Sequence, residues 1–505
     1  MAHPAPRLAT PAAAPTLARR PLLAVAAAVA ALLVATSSRY GYHRDELYFL
    51  VAGRHADWGY PDQPPLTPVL ARLADSIGPG SLVVLRLPSA LASAAVVLLA
   101  GAIARELGGG RRAQLVAAAC AAVSAVTLVT GHLLSTTTFD VLFSTLVCWL
   151  LVRAARTREH WLLLPAGLAL GIGMLNKLQV GFLAAALLAG LAMAGPRRLL
   201  RSSWLPAAGV VAAVCAAPYL VWQALNGWPQ LDLARAIAAE GDLGGRLGFL
   251  PFQLLMVSPL LVPVWVAGLV MLLRSPAMRP YRFLAAGYLL LAAFYLVTGG
   301  KAYYLAGMYP ALLGAGAVAV DGWLGRVGGG AAARLRTLSA AIAVSGLVAA
   351  VIGLPLLPAR ALGPVLPVNY DAGEQVGWPR YVDQVAAVWA GLSSSQRATG
   401  LVLADNYGEA GAIDRYGPAR GLPPAYSGHN GLAEWRVPIG QAGPVLLVGY
   451  ADDAVRSRLF GSCSQQATLD NGLGLDTDEQ GQPVWVCGSP PRPWAQTWPE
   501  VRHLN

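Results

Sequence analysis

Two adjacent carboxylates, Asp45 and Glu46, and the chain's only two lysines, Lys177 and Lys301, stand out in a sequence that is otherwise sparing with charge. A carboxylate can take a proton from a hydroxyl acceptor, and a lysine can neutralise a phosphate leaving group, so the set suits a reaction on an anionic lipid headgroup. His132 and Asp140 flank one turn between apolar blocks and add two more ionisable groups in surroundings where each is costly and therefore worth a functional hypothesis. Each residue also has a plainer reading. Lysines snorkel to a membrane surface from apolar segments without further duty, and Asp45 can cap a helix or solvate a loop. Spacing alone leaves both readings open.

The elements that must position these residues are membrane spans. Hydrophobic residues make up 56% of the chain and charged residues 12%, against an ordinary soluble balance of about half and about a quarter. The apolar residues come in blocks such as 21–37, 82–104 and 249–273, each long enough to cross a hydrocarbon core about 30 Å thick. The net charge of +11 does not form one basic face of the kind that binds nucleic acid. Its arginines fall in every second loop, including Arg105 with Arg111 and Arg112, Arg153 with Arg156 and Arg158, Arg274 with Arg279 and Arg282, and Arg326 with Arg334 and Arg336. The positive-inside rule places those loops in the cytoplasm. The expected protein is a polytopic α-helical one with about 11 spanning helices, set in the cytoplasmic membrane. Residues 1–20 form a disordered cytoplasmic tail, 21–358 the transmembrane domain with outer loop 39–80, and 365–505 an extracytoplasmic α/β domain. The first apolar block has basic residues ahead of it like a secretory signal, but it is read as a retained span. No low-complexity tract stands out beyond residues 328–333.

Loop 39–80 is the most polar stretch of the membrane half, and Leu47, Leu50 and Val51 within it give a short amphipathic helix expected to lie along the membrane surface. After about residue 366 the composition turns polar. Apolar runs at 401–404, 445–450 and 484–487 read as strands and 375–392 as a helix. Cys120, Cys148 and Cys215 lie in apolar blocks and read as packing residues. Cys463 and Cys487 are the only pair in the polar domain, where an oxidising compartment predicts a disulfide.

The stretch Arg44-Asp45-Glu46-Leu47-Tyr48, followed by Gly59-Tyr60-Pro61-Asp62-Gln63-Pro64-Pro65-Leu66, resembles the first outer loop of glycosyltransferase family 39. These are C-type membrane transferases that use polyprenyl-phosphate sugars and include protein mannosyltransferases and lipid A aminoarabinose transferases. Thr138-Phe139-Asp140, Gly173-Met174-Leu175-Asn176-Lys177, Gly299-Gly300-Lys301-Ala302-Tyr303-Tyr304 and Tyr309-Pro310 follow in the family's order. The resemblance implies an inverting sugar transfer from a polyprenyl-phosphate donor to a lipid, glycan or protein acceptor on the outer face. Asp45 would be the catalytic base with Glu46 beside it, Lys301, Tyr304 and Lys177 would meet the donor phosphate, and Arg44, Tyr48, Asp62, Gln63, Asp140 and His132 would line the pocket. Some members hold a divalent metal cation. Here the metal stays open, with His43, His55 and His132 as neighbours of the acidic pair.

Gln63 stands where lipid-modifying relatives often carry a basic residue, so their phosphate contact at that point is not implied. The loop 223–248 is too short for the folded insert of eukaryotic protein mannosyltransferases. Asp405-Asn406-Tyr407-Gly408 and Ser427-Gly428-His429-Asn430 resemble bacterial members, and strand-end turns explain them equally well. The alternative to a transferase is a transporter or flippase of a cell-envelope lipid, for which many spans and a few buried charges would also serve.

Overall fold

In an apolar medium every backbone N–H and C=O must be paired within its own segment, so the apolar blocks fold as helices. The protein is described by a computed structural model covering residues 14–240, 245–325, 330–440 and 442–504. Residues 1–13 of the expected tail, Arg326 and residues 328–329 of the Gly/Ala tract lie outside the described residues.

The first third of the chain builds the frame of the site. It comprises α1 (Arg19–Thr36), α2 (Arg44–Arg54), α3 (Leu66–Ile77), α4 (Leu82–Glu106), α5 (Arg111–Ala122), α6 (Ala125–His132) and α7 (Thr136–Thr157). α4 is the central post, packed on α1, α5, α7 and helix Tyr309–Leu324. Its 25 residues make it roughly 37 Å long, and Ser81 Oγ accepts from the Val84 N–H to cap its start.

Seven helices among the described residues are long and apolar enough to cross a membrane. Two bent pairs bring the number to nine, and two shorter apolar segments, His160–Met174 and Gln179–Ala194, account for the difference from the eleven expected. One bent pair is α5 with α6, at 53°. The other breaks the block 249–273, which hydropathy reads as one span, into two pieces bent by 82°. The break falls at Ser258, whose φ of 146° lies outside any helix. Pro259 follows it and withholds the N–H that a continuous helix needs.

The C-terminal domain carries a five-stranded sheet in the order β2-β1-β3-β5-β4. The strands are β1 (Leu401–Ala404), β2 (Ala425–Ser427), β3 (Val445–Val448), β4 (Cys463–Thr468) and β5 (Pro483–Cys487). β1 pairs in parallel with β2 and β3, while β5 runs antiparallel to β3 and β4. The three apolar runs are β1, β3 and β5, and the helix read over 375–392 is Trp378–Ala390. β2 and the largely polar β4 were not anticipated. Cys463 and Cys487 face each other across β4 and β5 and are joined by a disulfide.

α2 does not present its apolar stripe to a surface: its residues 46–53 are all buried in protein. Helix Tyr407–Tyr416 of the C-terminal domain packs on one side of it and α3 on another. The apolar stripe that fits a lipid surface serves here to seat a protein domain.

Candidate active site

The site grows from the way α2 begins. His43 is its N-cap and Glu46 its third residue: the His43 N–H donates to Glu46 Oε2 at 2.9 Å, and His43 Nδ1 stands 3.2 Å from the Asp45 backbone nitrogen. Glu46 is fully buried, so its charge demands a partner. Arg86, an arginine inside apolar α4, supplies it: Nε donates to Oε1 at 2.8 Å and Nη2 to Oε2 at 2.7 Å. The Leu134 N–H gives a fourth bond, to Oε1 at 2.9 Å. Burial penalises the Glu46 charge, but the Arg86 guanidinium outweighs it and holds the carboxyl below its ordinary range. Arg86 spends its remaining donors on the carbonyls of Ser37 and Gly41, both at 2.7 Å. Glu46 therefore anchors α2 to α4, with both oxygens occupied.

Asp45 comes out differently. The same turn of α2 leaves its side chain 41% accessible. The Tyr407 hydroxyl donates to Oδ1 at 2.7 Å, and His43 Nδ1 stands 4.0 Å from Oδ2. Burial opposes a charge on His43, yet its hydrogen bond to Asp371 and the carboxylates of Asp45, Asp371 and Glu46 prevail and raise the imidazolium to about 9. Arg44 lies 3.5 Å from Glu374, pairs with Asp478 and rests over the Tyr407 ring at 4.8 Å. Asp371, Glu374, Tyr407 and Asp478 all belong to the chain after the last span.

The other pocket residues gather round this pair. Tyr48 donates to Asp62 Oδ1 at 2.6 Å and accepts from the Gly431 N–H at 3.1 Å. Burial pushes the Asp62 carboxyl up to about 7 despite the bond from Tyr48. Gln63 is buried, with its backbone carbonyl on the Tyr60 N–H at 3.0 Å. His132 Nε2 sits 3.4 Å from Arg86 Nη1 and 3.2 Å from Gln375 Oε1, which makes it a support of the Arg86 anchor.

The lysines approach from the bundle. Lys177 follows a turn stapled to its neighbours through Asn176, which accepts from Thr67 at 2.8 Å and donates to the Thr136 carbonyl at 2.7 Å. The Lys177 ammonium donates to Thr137 Oγ1 at 3.3 Å and lies over the rings of Tyr303 and Tyr304 at 4.9 and 5.2 Å. It lies within electrostatic reach of Asp140, Asp45 and the Lys301 ammonium. Lys301 opens the short turn Ala302–Met308 and also acts on Asp371. Tyr304 is fixed against Tyr295 and Tyr303, ring centres at 5.2 and 5.1 Å. Carboxylates and ammonium groups from loops far apart in sequence thus meet at the end of the bundle that bears the C-terminal domain.

The sequence left open a divalent cation near the acidic pair, with His43, His55 and His132 as its neighbours and Glu46 as a possible support. Glu46 has both oxygens taken by four donors, and His132 faces a guanidinium. Among the described residues no three His, Cys, Asp or Glu side chains gather as a metal would need.

Arg86 and Tyr407 escaped the sequence reading. Arg86 had a signal, since an arginine four residues into a spanning block is expensive and calls for a partner. Tyr407 stood in a stretch that also reads as a turn. Asn406 and Glu409 around it form the N-x-x-E capping box that starts helix Tyr407–Tyr416.

Residues 62–222 match the family described as dolichyl-phosphate-mannose-protein mannosyltransferase. No curated protein matches the sequence. Among solved structures, ArnT from Cupriavidus metallidurans in the apo state is similar with a TM-score of 0.58 at 15% identity, over 92% of this chain and 97% of that one. The same protein bound to undecaprenyl phosphate gives 0.56 at 16% identity over the same shares. Arabinofuranosyltransferase AftD from Mycobacteria gives 0.52 at 17% identity, covering 95% of this chain but 42% of that larger one. At these identities the structures speak for the fold, and the family segment covers α4 to α7 and the helices on either side. Together they bear out the resemblance carried by the loop motifs: residues 62–222 match a mannosyltransferase family model, and the chain as a whole is a multi-pass membrane protein with the fold of ArnT.

Proposed function

We propose that this chain transfers a sugar from a polyprenyl-phosphate donor, with inversion, to a lipid, glycan or protein acceptor on the outer face of the cytoplasmic membrane. The observation that carries the reading is the contrast within the acidic pair: Glu46 is saturated, while Asp45 is accessible and aligned by one hydrogen bond. The capture of undecaprenyl phosphate by the similarly folded ArnT supports a donor of that class. In the proposed step the acceptor hydroxyl gives its proton to Asp45 as its oxygen bonds to the anomeric carbon. The bond from that carbon to the phosphate oxygen breaks, and the polyprenyl phosphate leaves with the electron pair. Lys301 and Lys177, with Tyr304, would neutralise the charge that grows on the leaving phosphate. An inverting displacement needs base and leaving group on opposite faces of the sugar, as carboxylate and ammonium groups that converge from α2 and from the bundle would provide.

The test is a panel of undecaprenyl-phosphate sugars offered to purified wild type and to Asp45→Asn in vesicles. Transfer by wild type that falls about 10²- to 10⁴-fold in the variant is expected for loss of a general base. A wild type that moves no sugar, or a variant that keeps full turnover, overturns the reading.

A further inference from the structure

Asp45 carries the proposed transfer, yet the group that orients its carboxylate comes from the C-terminal domain. The Tyr407 hydroxyl binds Oδ1 at 2.7 Å. The other oxygen, Oδ2, stands 4.0 Å from His43 Nδ1, and the side chain stays 41% accessible.

The tyrosine is itself held from every side. It is the first residue of its helix, and Asn406 and Glu409 fix the turn: Asn406 Oδ1 accepts from the Glu409 N–H at 2.9 Å and Glu409 Oε2 from the Asn406 N–H at 3.2 Å. The Tyr407 N–H donates to His429 Nδ1 at 3.3 Å. Its ring lies between those of Tyr48 at 5.1 Å and His429 at 4.7 Å, with the Arg44 guanidinium above it. Arg44 is in turn clamped by Glu374 and Asp478.

The helix reaches this position because two of its residues lack side chains. A Cβ on Gly411 would stand 2.8 Å from Leu47 Cβ, and one on Gly408 would stand 3.0 Å from Arg44 Cβ. Any larger residue would lift the helix off α2 and draw the hydroxyl away from the carboxylate.

We infer that Tyr407 is a positioning residue for the general base, so that the C-terminal domain completes the active site of the membrane half. The inference rests on the transfer reading above, and its failure can be told apart from that reading's failure. The variant is Tyr407→Phe in the full chain, which keeps the ring and its neighbours and removes one hydroxyl. Two measurements apply. With the undecaprenyl-phosphate sugar that wild type uses, kcat is expected to fall about 10- to 100-fold, the range for a hydrogen bond to a charged group, while the donor KM stays within about threefold. In infrared difference spectra, the carboxylate bands of Asp45, isolated by subtracting Asp45→Asn, are expected to shift when the hydroxyl is removed. A merely structural tyrosine would move neither the kcat-to-KM split nor those bands. Unchanged kcat or unmoved bands would overturn the inference and leave Asp45 as base untouched. Absence of transfer by wild type would sink the parent reading instead.

Discussion

The two ends of α4 each bury a glutamate against arginine, and only one end has the makings of chemistry. At the far end Glu106 is 1% exposed and is met by Arg105 at 2.8 Å, by Arg156, and by Arg153 at 3.9 Å. Three cations surround one carboxylate there, and among the described residues no second carboxylate is paired with the cluster, so the arrangement ties α4 to α7. At the near end Glu46 and Arg86 form a more deeply buried pair, with Arg86 1% exposed against 17–36% for the three arginines at the far end, yet the residue beside Glu46 is open. The difference is one position along a helix. A buried pair pins α2 so firmly that its neighbour Asp45 can be left accessible, aligned and within reach of the Lys177 ammonium. On the proposed reading, the most buried acid of this site is its foundation and the partly exposed one its working group.

This comparison can be broken in three ways. The largest effect is expected on catalysis: Lys301→Met should cut transfer about 10²- to 10³-fold, the cost of removing one preorganised group from a developing anion, whereas Arg156→Met should leave turnover per folded molecule unchanged. Equal losses in sugar-transfer assays of the two variants would erase the distinction between the ends. Next comes stability. Glu46→Gln strands the buried Arg86 charge and should cost about 3–5 kcal/mol in unfolding measurements on detergent-solubilised protein, whereas Glu106→Gln leaves partly exposed arginines that water can reach and should cost less. Only Glu46→Gln should also slow transfer in the fraction that stays folded, because it loosens the helix carrying Asp45.

The smallest effect is on pH dependence. His43 is held charged up to about 9, above its ordinary 6.5. Its stabilising contribution is therefore complete below about pH 6.5 and is lost as the pH rises to about 9. Thermal midpoints followed across that window should decline in wild type, and the decline should be shallower in His43→Asn, which keeps an N-cap. An identical slope in the two proteins would remove His43 from the account.

What the sequence made legible follows from what each signal encodes. Hydropathy reports burial in lipid and so revealed the long helices. It cannot see an 82° turn inside one apolar block, because both halves are equally apolar. β1, β3 and β5 were visible as apolar runs. β4 (Cys463–Thr468) was hidden because an exposed strand such as this has no need of apolar residues. Scarcity of charge brought Asp45, Lys177 and Lys301 into view, and family resemblance gave them their expected roles. The partners of the acidic pair were out of reach, since Arg86 lies 40 residues from Glu46 and Tyr407 lies 362 from Asp45. No local pattern carries information about such pairings. For α2, periodicity found the apolar face but not what covers it, since lipid and protein ask for the same stripe.

The span of 362 residues between Tyr407 and Asp45 also has a meaning in time. Asp45 is synthesised before nearly all the membrane helices, and Tyr407 after them. A contact between them closes a very long loop, and such contacts form after the local ones. On the proposed reading, a half-made chain already inserted in the bilayer would carry its base without the hydroxyl that aligns it. Competence would arrive only with docking of the C-terminal domain, and maturation itself would act as a safety catch against premature use of a lipid-linked sugar.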